Sequence, residues 1–484
     1  MTALKQKTIS GLLWSFMDSF ATQGITFVVG IILARLLGPR EFGLIGMITV
    51  FIAISSSFIN SGFGNALIRK QNCSEKDFST VFYFNLVMGV LFFWILFFSA
   101  PAISRFFNEP QLKHIIQVLG IVLVIDSLTI IQRTILIKRI DYKLQTKISV
   151  ISSVISGTIG LTMAFNGFGV WSLVAKQICQ QAMNSLLLWV WNRWRPLLVF
   201  SRKSFQQLFS FGYKLLISGL IDTLYINLYF LIIGKYFSAQ ELGFYTRADN
   251  FKSLPSSNLQ GIIGRVSYPV LASMQDDLPR LREAYKKLIR STMLISFVMM
   301  LCMAAVARPM ILSLIGEKWE PSIIYLQMLC FVGMFFPLHS LNLNMLQVLG
   351  RSDLLLRLEI IKKILAIPVI IVGIMLGIKE MIFGMIILTL IAYYLNSYWS
   401  GTFIGYSFLA QVKDIFPSLM LASVVSLIVF AEGLLIPLSP LPLLIILLIS
   451  GALLIFGICE AIQFKDYLYI KNIVTEKFLN RNKV

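Results

Sequence analysis

Charge is scarce in this chain and histidine almost missing: 13% of its 484 residues are charged, two are His and five are Cys. A soluble domain of this length needs a polar surface, and a chain that is 57% hydrophobic with mean hydropathy +0.80 cannot supply one. The cysteines (Cys73, Cys179, Cys302, Cys330, Cys459) are scattered and mostly lie in apolar stretches, which excludes a disulfide framework and a cysteine metal site. No Gly-rich phosphate loop, His/Cys metal cluster or nucleophile motif occurs, so no cofactor and no enzymatic chemistry are expected. No small-residue cleavage site follows MTALKQKTIS, and no signal peptide is expected there.

What the chain does have is apolar runs of membrane-spanning length, about 20 residues each, from one end to the other. We read an all-α polytopic membrane protein in which every helix satisfies its own backbone groups. Fourteen spans are expected, at 9–36, 42–67, 78–100, 114–137, 148–166, 168–190, 207–234, 242–271, 288–307, 322–349, 356–376, 380–404, 414–436 and 441–463. Only Asn166-Gly167 separates the fifth from the sixth, so that turn must be tight. With the N-terminus placed in the cytoplasm, and Arg290, Arg357, Lys362 and Lys363 near span ends counted with the adjoining connections, 28 of the 42 Lys/Arg fall in the termini and even-numbered connections. Eight, Arg35 at a span end among them, fall with the odd-numbered connections and six inside spans. Basic residues collect on cytoplasmic loops for topological reasons, so most of the net charge of +19 needs no nucleic-acid partner. Both termini are then expected in the cytoplasm.

The sequence also repeats itself. ARLLGPREFGLIGM (34–47) aligns with GKYFSAQELGFYTR (234–247), which pairs Glu41/Gly43 with Glu241/Gly243. FFNEPQL (106–112) aligns with GEKWEPSI (316–323), and Asp126-Ser127-Leu128 with His339-Ser340-Leu341. Each half then holds six spans in one orientation, a parallel repeat of the kind found in two-lobed transporters. The expected organisation is a first lobe over 1–200, a second over 201–404, and two extra spans with a basic tail over 405–484.

The stretches ARLLGPREFGLIGM, SGFGNALIRKQN and RFFNEPQL resemble the polysaccharide-transporter (Wzx-like) branch of the MOP superfamily, and the resemblance runs the whole length. It implies a V-shaped pair of six-helix lobes around a cavity that opens alternately to each side. It also implies a lipid-linked oligosaccharide substrate, typically undecaprenyl-diphosphate-linked, moved to the outer leaflet for surface polysaccharide biosynthesis. A coupling ion (H+ or Na+) and polysaccharide polymerase or export machinery are the partners that go with that role, beside the bilayer itself.

Ionisable residues inside spans are costly and are therefore the first functional candidates. Asp18 lies on one face of the first span with Ser15, Thr22 and Thr26, a stripe suited to a cavity wall or to helix–helix packing. Asp126 and Arg133 share a face of the fourth span, either as an internal ion pair or with Arg133 turned to a phosphate. The seventh span carries Lys214 and Asp222. The eighth, FYTRADNFKSLPSSNLQGIIGR, is too polar to face lipid: Arg247, Asp249, Asn250 and Lys252 are followed by Pro255 and Arg265. Arg offers planar bidentate donors to phosphate and Lys a mobile point charge. We therefore expect Arg247, Lys252, Arg133, Lys214, Asn250 and Arg265 at a substrate headgroup. Asp18, Asp222, Asp126, Asp249 and His339 are expected at the coupling ion or as polar cavity lining. The competing role for Arg247 and Lys252 is internal pairing with Asp249 or Asp222, and for His339 a structural hydrogen bond.

Two rival functions carry other signatures. A MATE-type drug antiporter would favour a cavity dominated by carboxylates, whereas here acids and bases interleave. A saccharide polymerase or ligase needs a long outer loop with catalytic groups, and the longest outer connection, near 307–321, is about a dozen residues with only Arg308, Glu317, Lys318 and Glu320 charged.

Overall fold

The computed structural model describes residues 2–60 and 62–479. Every element among them is helical. The main helices are α1 (Thr2–Leu36), α2 (Pro39–Arg69, broken at Gly62), α3 (Glu75–Phe107), α4 (Gln111–Arg139), α5 (Tyr142–Phe165), α6 (Val170–Trp191) and α7 (Arg202–Tyr236). They continue with α8 (Ala239–Ala272), α9 (Leu278–Ala305), α10 (Ser322–Val348), α11 (Ser352–Leu376), α12 (Ile378–Ile404), α13 (Phe408–Leu435), α14 (Pro440–Ala461) and α15 (Lys465–Leu479). A short helix, Ala307–Leu314, and a 3-10 turn, Glu317–Trp319, fill the connection before α10.

Ten helices among the described residues are long and apolar enough to cross a membrane. They are α2–α5, the Leu215–Tyr236 part of α7, α9, α10 and α12–α14. The remaining long helices are the polar ones. α1 keeps only a shorter apolar stretch, Phe20–Leu36. α6 carries Lys176 and several Gln, α8 the Arg/Asp/Lys cluster, and α11 Arg357, Glu359, Lys362 and Lys363. Hydropathy and polar cargo trade off here, and the helices that fall short hold the groups a transporter would need.

Helix ends follow from local chemistry. Ser74 begins α3 with a capping box, its Oγ accepting from the Asp77 N–H (3.3 Å) and the Asp77 carboxylate accepting from the Ser74 N–H (2.9 Å). Asp141, Ser201, Asp277 and Ser407 cap α5, α7, α9 and α13 in the simpler way. The turn between α5 and α6 closes in four residues because Gly167 (φ 79°) and Gly169 (φ 54°) take left-handed conformations that a side chain would resist.

Chain contacts divide the molecule into two compact units, residues 1–243 and 244–484. Within a bilayer the lipid tails are as apolar as leucine, so helices associate where small residues let them approach. In the first unit, α5 presents Ser152, Ser153, Ser156, Gly157 and Gly160 to its neighbours α1 and α6. A Cβ on Gly157 would meet Val29 of α1 at 2.8 Å, and one on Gly160 would meet Lys176 of α6 at 2.9 Å. α7 packs on α2 and α3 in this unit. The starts of α2 and α8 cross so closely that a Cβ on Gly43 would strike the Ala239 carbonyl and one on Gly243 the Pro39 carbonyl. These are the two glycines that the internal repeat aligns. In the second unit α13 packs along α9, and α14 on α13, so the last two long apolar helices join this unit's core. α15 closes over Leu294, Leu421 and Cys459 with Phe464, Tyr467 and Ile470. Large apolar side chains left exposed, such as Val87, Leu91, Trp94 and Phe98 on one face of α3, form the band expected against lipid.

Candidate functional site

Polar side chains inside the first unit gather where α1, α4, α5 and α6 meet. Asp18 of α1 accepts from Thr22 one turn on (3.3 Å) and from Ser149 of α5. Asp126 of α4 accepts from Thr129 (3.2 Å) and from the Gln181 amide of α6. The Arg133 charge, two turns along α4 from Asp126, acts on both carboxylates. Asp18, Asp126 and Arg133 are each partly buried. Carboxylates ringed by hydroxyl and amide donors suit a small cation or a proton. Sequence spacing places Asp126 and Arg133 on one face; it cannot show that Asp18 belongs to the same group, because α1 reaches α4 only through tertiary packing.

On α7, Asp222 is exposed, whereas Asn227 is buried and its amide donates to the Thr223 carbonyl (2.8 Å). The Thr223 hydroxyl lies 3.0 Å from that of Ser57, tying α7 to α2. The Lys214 and Arg265 side chains lie outside the described residues, as does that of Ser15.

The second unit treats its charges differently. Arg247 is only 9% exposed, and its guanidinium sits 5.6 Å from the ring centroid of Trp319, a fully buried residue of the 3-10 turn before α10. Lys252 is 4% exposed; its Nζ forms a 2.6 Å ion pair with Asp249 and lies 5.0 Å from the centre of the Phe336 ring. Gly333 makes room for the lysine stem, since a Cβ there would meet Lys252 Cδ at 2.8 Å. Of the two roles open to Lys252 in the sequence, internal pairing is the one seen in this conformation. Asn250 is exposed beside them. α8 runs on through Pro255 and Pro269, and the hydroxyls of Ser256 and Ser257 take up the Lys252 and Ser253 carbonyls at 3.0 and 2.6 Å next to the first proline.

His339 belongs to a buried polar knot between α9, α10 and α12. Asn396 donates to His339 Nδ1 (3.2 Å). One turn along α10, Asn342 Oδ1 accepts from Tyr285 (2.8 Å) and from Ser400 (2.6 Å), while its amide donates to the Leu338 carbonyl (3.0 Å). Tyr285, Asn342 and Ser400 escaped sequence reasoning, although His339 and Asn342 stand three apart on one helix. Likewise Glu432 of α13 accepts from Ser450 of α14 (2.9 Å), a contact that helps join the last pair. Among the described residues, no group of three His, Cys, Asp or Glu converges to hold a metal ion.

An apolar helical bundle that keeps carboxylates, arginines and amides inside is the build of a membrane transporter, and comparison with known proteins gives it a lineage. The family described as "Polysaccharide biosynthesis protein" matches residues 32–324, more than half of the chain. The lipopolysaccharide biosynthesis protein WzxC of Escherichia coli (strain K12) is 29% identical over 379 residues, 77% of this chain and 76% of that one. The teichuronic acid biosynthesis protein TuaB of Bacillus subtilis (strain 168) is 26% identical over 356 residues, 73% of this chain and 74% of the other. In three dimensions, the inward closed conformation of the lipid II flippase MurJ superposes with a TM-score of 0.73 over 95% of this chain and 100% of that one. At 13% identity, that likeness shows a shared fold. Apolar helices, polar interior and a sequence match across most of both repeat halves converge: the chain belongs to the polysaccharide biosynthesis protein family.

Proposed function

We propose that this protein is a flippase that carries a lipid-linked oligosaccharide, an undecaprenyl-diphosphate-linked repeat unit, from the cytoplasmic to the outer leaflet of the bacterial inner membrane. Fourteen helices, α1–α14, cross the bilayer with both termini in the cytoplasm, as the sorting of Lys/Arg between connections indicates. The observation that carries the reading is α8, which keeps Arg247, Asp249 and Lys252 within two turns inside an apolar bundle, with Asn250 exposed beside them. A diphosphate headgroup supplies the acceptors and charge such a helix needs, and it displaces Asp249 from the Lys252 ammonium on binding. Arg133, Lys214 and Arg265 are further headgroup residues in this reading. The polyprenyl tail stays in lipid while the two repeat halves rock and expose the headgroup to either side.

Energy comes from an ion gradient or the membrane potential. The potential is worth about 2.3 kcal/mol per charge per 100 mV, and its sign favours outward movement of a negative headgroup. The Asp18–Arg133–Asp126 group is the seat of the coupling ion, H+ or Na+, with Asp222 as a further carboxylate on the path. His339 serves the fold. No covalent step is involved, and the surface-polysaccharide polymerase or export machinery takes the flipped unit onward.

The test is chemical analysis of the lipid-linked saccharides in cells depleted of the protein and complemented with wild type or Arg247→Ala. Accumulation of an undecaprenyl-diphosphate oligosaccharide, cleared by wild type and not by the variant, is expected. No accumulation on depletion would end the flippase reading, and clearance by the variant would remove Arg247 from the site.

A further inference from the structure

The two motifs that the transport pathway leaves unused, LGPREFG and FFNEPQL, meet at one end of the first unit. They border a cavity of about 360 Å³ together with the glycine turn between α5 and α6. Arg40 and Glu41 open α2 on one side, Gln111 and His114 open α4 on another, and Phe168 and Trp171 close the third. The walls are held before any ligand arrives. Arg40 is bound to Glu109 of the FFNEPQL motif (2.7 Å), and Glu41 accepts from the Gly38 N–H (2.9 Å). Phe168 stands between Gly167 and Gly169 and is 55% exposed, and Trp171 is 36% exposed. All three connections that build this cavity are odd-numbered and therefore lie outside the membrane under the topology proposed above.

Each candidate ligand class meets these walls differently. A phosphate needs an excess of cations, whereas Arg40 here faces the carboxylates of Glu41 and Glu109. A lipid chain needs a continuous apolar groove, and this cavity has four polar side chains. A sugar ring needs an aromatic face for its C–H side, with carboxylate, amide, guanidinium or imidazole groups at its rim for the hydroxyls. Aromatic residues at a membrane interface would account for the two rings alone; they do not account for Gln111 and His114 lining the same cavity. The volume stands at the low end of the roughly 300–1,000 Å³ of small-molecule sites, room for one or two sugar residues.

We propose that this cavity is a saccharide-binding site on the outer face of the protein, which takes an uncharged sugar of the oligosaccharide as the headgroup leaves the transport pathway. The inference rests on the flippase reading for its ligand and its sidedness. Trp171 and Phe168 provide the stacking faces, and Gln111, His114, Arg40 and Glu41 the hydroxyl partners.

The test uses the full chain in nanodiscs of phosphatidylethanolamine and phosphatidylglycerol, because maltoside detergents would present sugars of their own. The probe is the phosphate-free oligosaccharide mixture released from the host's surface polysaccharide by partial acid hydrolysis. Saturation-transfer NMR is expected to show binding to wild type. Trp171→Ala and His114→Ala should each weaken it by about tenfold or more, the scale on which removal of a central contact acts, and Trp171→Phe should retain most of it. No transfer to the wild type, or unchanged transfer to Trp171→Ala, would overturn the site. The two ideas fail separately: binding here without lipid-linked accumulation on depletion would sink the flippase and spare the cavity, and accumulation without binding would do the reverse.

Discussion

The two units hold their interior charges in opposite ways. In the first, Asp18 and Asp126 accept from hydroxyl and amide donors with the Arg133 charge acting on both, and all three are partly buried. In the second, Arg247 and Lys252 outnumber Asp249, and both are buried, one against Trp319 and the other in an ion pair under Phe336. A repeated fold has therefore been given unlike electrostatics. An acidic, accessible group suits a coupling cation that must come and go; a basic group held by exchangeable partners suits an anionic headgroup that arrives with its own charge. The contrast ties the chemistry of each half to residues that can be changed one at a time.

The largest effect is expected where a buried charge is left alone. Lys252→Ala strands the Asp249 carboxylate. Breaking a fully buried pair costs about 3–5 kcal/mol, and this one should fall near the lower bound because the Asp249 side chain is 24% exposed. Thermal unfolding in nanodiscs measures the loss. Asp249→Asn strands the buried ammonium at a similar cost yet should keep clearance of lipid-linked oligosaccharide, whereas Lys252→Met/Asp249→Asn, which removes both charges, should recover stability without recovering transport. Clearance by Lys252→Ala at the wild-type rate would break the assignment of the basic group.

Next comes the acidic group. Asp18→Asn is expected to abolish stimulation of transport by an imposed ion gradient, a change within the roughly 5–150-fold range of typical coupling between sites. Basal exchange should survive. An intact gradient response in this variant would move coupling away from the first unit.

A smaller change is expected at the polar knot. Tyr285→Phe removes one donor, but Asn342 Oδ1 still accepts from Ser400. The cost should be about 0.5–1.5 kcal/mol in unfolding with transport unaltered. Lost transport at unchanged stability would place the knot on the pathway instead.

The smallest effect concerns α15, which lies beyond the last span. Burial raises the Asp466 carboxyl above its ordinary range, against the pull of Arg290 at 2.8 Å. An acid with a raised folded-state value binds its proton more tightly when folded. Resistance to unfolding should therefore fall slightly as pH rises from the ordinary carboxylate range through that raised value, then stay level. Asp466→Asn should flatten the slope and leave transport alone; an unchanged slope would assign it to another group.

Much of the fold is legible in the amino-acid sequence. Apolar runs mark most of the helices, and the Asn166-Gly167 pair marks the tight turn that Gly167 and Gly169 make. The repeat aligns Gly43 with Gly243, and the two do meet carbonyls of each other's helix. α1, α6, α8 and α11 are less plain, because their polar side chains dilute the hydropathy by which a span is recognised. Partners are the hardest to foresee. Nothing in α8 announces that Arg247 will lie against Trp319, 72 residues away, or that α1 will bring Asp18 within reach of Arg133. Spacing along one helix gives a face; which face meets which is decided by small-residue packing such as that of Gly157 on Val29.

The most direct measurement is transbilayer movement of a purified undecaprenyl-diphosphate oligosaccharide in proteoliposomes holding this protein alone, followed by its exposure to an external glycosidase. Wild type under an imposed ion gradient should render the internal pool accessible, and Lys252→Ala should not. A wild-type protein that leaves the internal pool protected, with or without the gradient, would contradict the flippase reading.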